Sequence, residues 1–120
     1  MKRLLKIIAA LTAVSGFAGS ALAVDGVDGY YNTTYRAPDM NWYDVDLEID
    51  GFYGYTYAPG SSEPDGTLYI NGDATSTHFS GTWERGGSSG TFVFNFYQGK
   101  LRGFYNSPDT NGMQLPWNSN

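Results

Sequence analysis

One five-residue pattern recurs four times in this chain and demands strand rather than helix. It reads apolar, any residue, Gly, any residue, aromatic: Val27-Asp28-Gly29-Tyr30-Tyr31, Ile49-Asp50-Gly51-Phe52-Tyr53, Phe79-Ser80-Gly81-Thr82-Trp83 and Leu101-Arg102-Gly103-Phe104-Tyr105. The four glycines are spaced by 22, 30 and 22 residues. In a strand, positions i, i+2 and i+4 share a face, so each copy sends an apolar side chain, a bare Cα and a ring to the same side. A small barrel needs this combination, because a bulky inward ring wants a neighbour without a side chain and Gly lets the strand bend. The pattern predicts that Gly51, Gly81 and Gly103 lie beneath inward rings of adjacent strands. It predicts an inward aromatic set of Tyr31, Tyr53, Tyr55, Trp83, Phe92, Phe94, Phe96 and Tyr105. By the same reasoning Tyr30, Trp42, Phe52, Phe104 and Trp117 face outward.

The segments between the copies also alternate with period two. Val45, Leu47 and Ile49 are interleaved with Asp44, Asp46, Glu48 and Asp50, and Phe92, Phe94 and Phe96 with Val93, Asn95 and Tyr97. No segment after residue 24 carries the i, i+3, i+4, i+7 spacing of an amphipathic helix. Strands are expected near 28–35, 40–50, 52–58, 66–71, 76–85, 90–97 and 100–106, with a short eighth near 112–116. Between them stand turn-forming clusters such as Pro59-Gly60-Ser61-Ser62, Asn71-Gly72-Asp73, Gly86-Gly87-Ser88 and Gln98-Gly99, which suit hairpins and short loops. There is no room for crossover helices. The chain therefore reads as all-β, an antiparallel up-and-down meander that hides its edges by closing into a barrel of seven or eight strands.

Residues 1–23 read as a cleaved signal peptide. Lys2, Arg3 and Lys6 precede an apolar run from Ile7 to about Ala18, and Ala21-Leu22-Ala23 supplies an A-x-A cleavage site. Residues 24–120 then form a single β-barrel domain of 97 residues, secreted or periplasmic, and a chain of that length makes one domain. Three of the seven basic residues leave with the signal and all twelve acidic ones stay, so the mature chain carries a net charge of −8. Four remaining basic residues are too few for a nucleic-acid surface. The acids on the outward face of 44–50 are incompatible with lipid, which argues against membrane insertion of the mature chain. With no cysteine there are no disulfides, no thiol chemistry and no zinc–thiolate site.

Gly81-Thr82-Trp83, Gly90-Thr91-Phe92-Val93-Phe94 and the run from Gly99 to Ser107 resemble the first strands of avidin-like barrels. Residues 29–106, with Tyr31-Asn32-Thr33 at their start, are similar to small secreted bacterial meander domains of unknown role. The avidin resemblance is confined to 81–107. It implies a closed barrel with ligand-contacting roles for Tyr105 and Ser107. Glu84-Arg85 stands where that family has Tyr-Asn, and only 13 residues follow Ser107, so the family's later Trp and Asp ligands have no counterparts here.

Candidate chemistry is sparse. The single histidine, His78, shares a strand face with Ser80, Thr82 and Glu84, opposite Phe79 and Trp83. That places it on the outer surface, without a nucleophile or orienting carboxylate around it. The stripe Asp44, Asp46, Glu48, Asp50 puts alternate carboxylates about 6.6–7 Å apart along one strand. That is too wide for one cation, and the stripe reads as a solvated outer face. No pair of carboxylates marks a glycosidase cleft. The expectation is a non-enzymatic protein without metal or cofactor. A barrel mouth lined by Tyr31, Tyr53, Trp83, Tyr105 and Ser107 would bind a small molecule or saccharide on its rings. The alternative is a structural or interaction protein of the cell envelope, recognising a protein partner through Trp42, Phe52 and Phe104 on an acidic, aromatic outer face.

Overall fold

The computed structural model describes residues 26–120; the expected signal peptide lies outside the described residues. Eight strands follow one another in chain order: β1 (Gly29–Arg36), β2 (Trp42–Asp50), β3 (Tyr53–Tyr57), β4 (Gly66–Ile70), β5 (His78–Arg85), β6 (Ser88–Tyr97), β7 (Lys100–Asn106) and β8 (Leu115–Ser119). Each pairs antiparallel with the next, and β8 returns to β1, so the sheet closes as an up-and-down barrel. A single 3₁₀ turn, Pro108–Thr110, interrupts the β7–β8 connection. Closure matters energetically because an open sheet this short would leave two rows of unpaired backbone groups.

The eighth strand runs three residues later than the turn-based expectation. Its inward residues are Leu115, Trp117 and Ser119, all buried. Trp117, expected to face outward, is 6 % exposed. It pairs with Gly103 on one side and Tyr35 on the other, and its ring lies 5.0 Å from that of Phe94. Only closure explains this position, since Trp117 needs β1 and β7 together to form its walls. Pro116, which has no N–H to give, sits one residue beyond the last β1 partner, Trp117, where a ladder hydrogen bond toward β1 is not required.

The lower half of the barrel, near the β2–β3, β4–β5 and β6–β7 turns, is filled. Leu47, Ile49, Phe79, Phe94 and Leu101 are each at most 1 % exposed. Val27, fully buried, and Ala74, from the β4–β5 loop, belong to the same core cluster. Tyr31 closes this end: it packs edge-on to Phe96 at 6.3 Å, and its hydroxyl donates to the Val27 carbonyl.

Gly103 lies beneath an inward ring, Phe94 of β6, as expected, whereas Gly81 is enclosed by the backbone of β4 rather than by a ring. Gly81 and Gly103 are buried mid-strand. A Cβ at Gly81 would collide with the Tyr69 carbonyl, and one at Gly103 with the Val93 carbonyl and, at 2.7 Å, with Phe94 Cδ1. Gly51 differs. It sits in the β2–β3 turn at φ +65° with open space around it, the left-handed region that favours glycine. The turn resets the alternation. Asp50 pairs with Tyr53, cross-strand partners share a face, and Asp50 points outward. Tyr53 and Tyr55 therefore lie on the outer face, not the inner one; Tyr53 is 51 % exposed and Tyr55 half-buried. Gly54 and Thr56 take the inward positions and are buried. Phe52, expected outward, is half-buried and packs against the core cluster.

Candidate functional site

The upper half of the barrel is not filled, and the register explains why. Cross-strand pairs put Thr56 opposite Gly66, Gly66 opposite Arg85, Arg85 opposite Ser88 and Trp83 opposite Gly90. The inward positions of β3, β4 and β6 at this end are therefore small. The result is a cavity of about 350 Å³ opening between the β1–β2, β5–β6 and β7–β8 connections. Its floor is apolar, from Val45, Leu68 and Trp117, and its walls are Tyr35, Trp83 and Tyr105.

The rings are held rigidly. Tyr105 meets Tyr35 at 5.9 Å, Trp83 at 5.9 Å and Trp117 at 6.3 Å, all edge to face, arrangements that aromatic quadrupoles favour. Each polar tip has a partner. The Trp83 indole donates to the Asn106 carbonyl at 3.1 Å, and the Trp117 indole to the Thr33 hydroxyl at 2.8 Å. The Tyr105 hydroxyl donates to the Arg36 carbonyl at 2.6 Å, linking β7 to β1 across the start of β8. Burial, with Tyr35 and Asp39 adding, pushes that hydroxyl up to about 12.

A charged side chain enters the barrel mouth. Arg85 alternates with Trp83 along β5 and so faces inward at the mouth. Its guanidinium lies over the Tyr35 ring at 5.8 Å and donates to the Tyr35 hydroxyl at 3.1 Å. Its other terminal nitrogen meets Asp65 at 2.9 Å. Asp65 ends the β3–β4 loop, where its backbone N–H bonds the Thr56 carbonyl and its second carboxylate oxygen accepts from the Thr56 hydroxyl at 2.7 Å. Burial works against the charge on Asp65, but hydrogen bonds from Arg85 and Thr56 outweigh it and hold the carboxyl below its usual range. Burial likewise opposes the charge on Arg85, and the pairing with Asp65 outweighs it.

Of the five residues expected at the mouth, Trp83, Tyr105 and Ser107 line this cavity together. Tyr31 is inward but seals the opposite end, and Tyr53 is outside the barrel on β3, edge-on to Tyr69 at 6.1 Å. Tyr35, Arg85 and Trp117 were not anticipated. Tyr35 stands four residues after Tyr31, and Arg85 two after Trp83, so period-two alternation carried to the end of β1 and of β5 would have found both. The outer aromatics do not form one surface. Trp42 is 52 % and Phe104 48 % exposed, but β8 and β1 separate their strands, and Phe52 is in the turn at the opposite end from Trp42.

The acidic stripe is outward except in one respect. Glu48 is 2 % exposed and accepts from the Tyr57 hydroxyl at 2.7 Å, so it is not solvated. His78 is exposed on the outer face, with Nδ1 2.9 Å from the Asn95 amide oxygen. Among the described residues no three or more His, Cys, Asp or Glu side chains converge as metal ligands, and no helix is long and apolar enough to cross a membrane. Comparison with known proteins gives no matching family model, curated protein or solved structure, so the cavity is read from its own chemistry.

Proposed function

We propose that this protein is a non-enzymatic binding module that holds a small molecule in the mouth of its barrel. One observation carries the reading: a cavity of about 350 Å³ where three aromatic walls and one inward arginine converge. Its volume falls within the ~300–1,000 Å³ typical of small-ligand pockets, and an apolar lining with a few placed polar groups is their common composition. The rings are pre-ordered by their own hydrogen bonds, so little conformational entropy is lost on binding. Catalysis gains no support, because His78 is outside the barrel and the charged pair at the mouth is Arg85 with Asp65, not a nucleophile with a base. Secretion or periplasmic residence belongs to this proposal and rests on the signal-like residues 1–23. Recognition of an envelope protein through Trp42, Phe52 and Phe104 is the weaker reading, because these side chains are dispersed over the barrel.

Intrinsic tryptophan fluorescence tests the proposal. Two of the three tryptophans, Trp83 and Trp117, border the cavity, and a ligand seated there should shift emission saturably. The shift should shrink in Trp83→Leu, which leaves Trp117 as the cavity's reporter, while Trp42→Leu retains it in full. A saturable shift that depends on Trp42 instead would move the site to the outer face.

A further inference from the structure

Resting on the reading of the mouth as a binding site, the charge arrangement selects among ligand classes. Arg85 has five N–H donors. Among the described residues two of them are used, on Tyr35 and Asp65, and the side chain remains 28 % exposed. Asp65 is 38 % exposed, and each carboxylate oxygen, already accepting one hydrogen bond, has a second lone pair. Arg85 borders both the cavity and an adjoining surface groove, and Asp65 lines that groove, so the free donors of Arg85 face the cavity mouth and the free acceptors of Asp65 lie just beyond it.

A cationic ligand is disfavoured there, because the guanidinium already occupies the face of Tyr35 where a cation would sit. An anionic ligand is disfavoured as well. Asp65 already neutralises Arg85, Glu84 and Asp109 also border the cavity, and the whole chain is net −5. A wholly apolar ligand would strip water from Arg85 and Asp65 and return no hydrogen bonds, which is costly. A neutral polyol meets none of these penalties. One hydroxyl can accept from Arg85 and its neighbour donate to Asp65, while the C–H face of a pyranose ring lies on Trp83. The indole is held for that role by its bond to the Asn106 carbonyl and by the Tyr105 ring.

We propose that the cavity takes the end of a neutral saccharide, stacked on Trp83 and hydrogen-bonded to Arg85, with an adjacent hydroxyl reaching past Arg85 to Asp65 in the adjoining groove. The test is a titration of the purified full chain, followed by tryptophan fluorescence and calorimetry. The probes are neutral sugars of gluco, galacto, manno and N-acetylated configuration with their disaccharides, 2-naphthoate, and benzyltrimethylammonium, each to ~10 mM so that millimolar affinity registers. At least one neutral sugar should bind saturably, with little dependence on salt. Arg85→Lys keeps the charge but loses the planar fork, and should weaken that binding about ten- to hundredfold. Asp65→Asn should weaken the sugar and at the same time improve 2-naphthoate. Binding of 2-naphthoate or the ammonium probe by the unaltered protein, with no sugar bound, overturns the saccharide assignment but leaves the binding module standing. If no probe of any class perturbs Trp83, both fall.

Discussion

A side chain at residue 81 or 103 has nowhere to go. Its Cβ would meet the Tyr69 or the Val93 carbonyl, and backbone cannot rotate aside as a flexible side chain can. Overpacking in a core typically costs ~1–3 kcal/mol, and a backbone obstacle puts these sites at the upper end. Gly81→Val and Gly103→Val should each lower the unfolding free energy by about that amount, read as a lower urea midpoint, or prevent folding. Gly51 is constrained differently. Open space surrounds it, but its φ of +65° disfavours any residue with a Cβ. Gly51→Asn, which tolerates that conformation, should cost less than Gly51→Val. Equal losses at 51 for Asn and Val would show that the turn is not left-handed. The glycine of one repeated pattern thus serves two purposes, contact in the strand and reversal in the turn.

At the scale of single elements, the β2–β3 hairpin decides which rings are core. Phe52 sits in its turn, packs on the core cluster, and has its carbonyl bonded by the Ile70 N–H at 2.9 Å. Phe104, mid-strand on β7, faces solvent at 48 % exposure. Phe104→Ser should leave stability within ~0.5 kcal/mol, as exposed substitutions usually do. Phe52→Ser should destabilise clearly, by part of the ~3–5 kcal/mol lost when a fully buried large ring is truncated. Thermal melts of the two single variants check this. Equal melting temperatures would mean that the turn does not carry Phe52 onto the core. Counting alternation from Ile49 through Gly51 places Tyr53 inside, whereas the hairpin reversal places it outside. Pairing within a strand is visible in sequence, but a turn that consumes two residues, Gly51 and Phe52, changes the phase of everything after it.

For the whole molecule, the barrel has a sealed end and an open end, each held by a tyrosine whose hydroxyl is part-buried and bonded to a backbone carbonyl. Tyr31 at the base is raised to about 12 by burial, with Asp28 adding, and Tyr105 at the mouth is also raised to about 12 by burial. A raised folded-state value means that the folded chain holds the phenolic proton more tightly than the unfolded chain, whose tyrosines titrate near 10. The stabilisation is therefore fully present below about pH 10 and is lost as pH rises toward about 12. Tyr105→Phe removes the hydroxyl that joins β7 to β1. It should shift alkaline unfolding, read by far-ultraviolet circular dichroism between pH 9 and 12, to higher pH, at the cost of lower stability near pH 7. An unaltered alkaline limb would mean that Tyr105 ionises freely in the folded barrel.

Period-two alternation, four in-phase copies of one pattern and closely spaced turn residues were enough, in the sequence alone, to determine an antiparallel meander and nearly all of its strands. They also determined the inward direction of Trp83, Phe92, Phe94 and Tyr105, because a strand's facing depends only on its own local periodicity. Closure was expected from the need to hide sheet edges, but which side chains closure buries was decided by tertiary structure. Trp117 becomes core because β8 is walled by β1 and β7, strands at the two ends of the meander that no local pattern connects. The cavity is likewise tertiary, since it exists where Thr56, Gly66, Ser88 and Gly90, small residues on three strands, come into register at one end. The same register brings Asp65, from a loop twenty residues away, to Arg85. Local periodicity tells each side chain which way to face, while the space it faces is set by residues distant in sequence that only the closed sheet brings together.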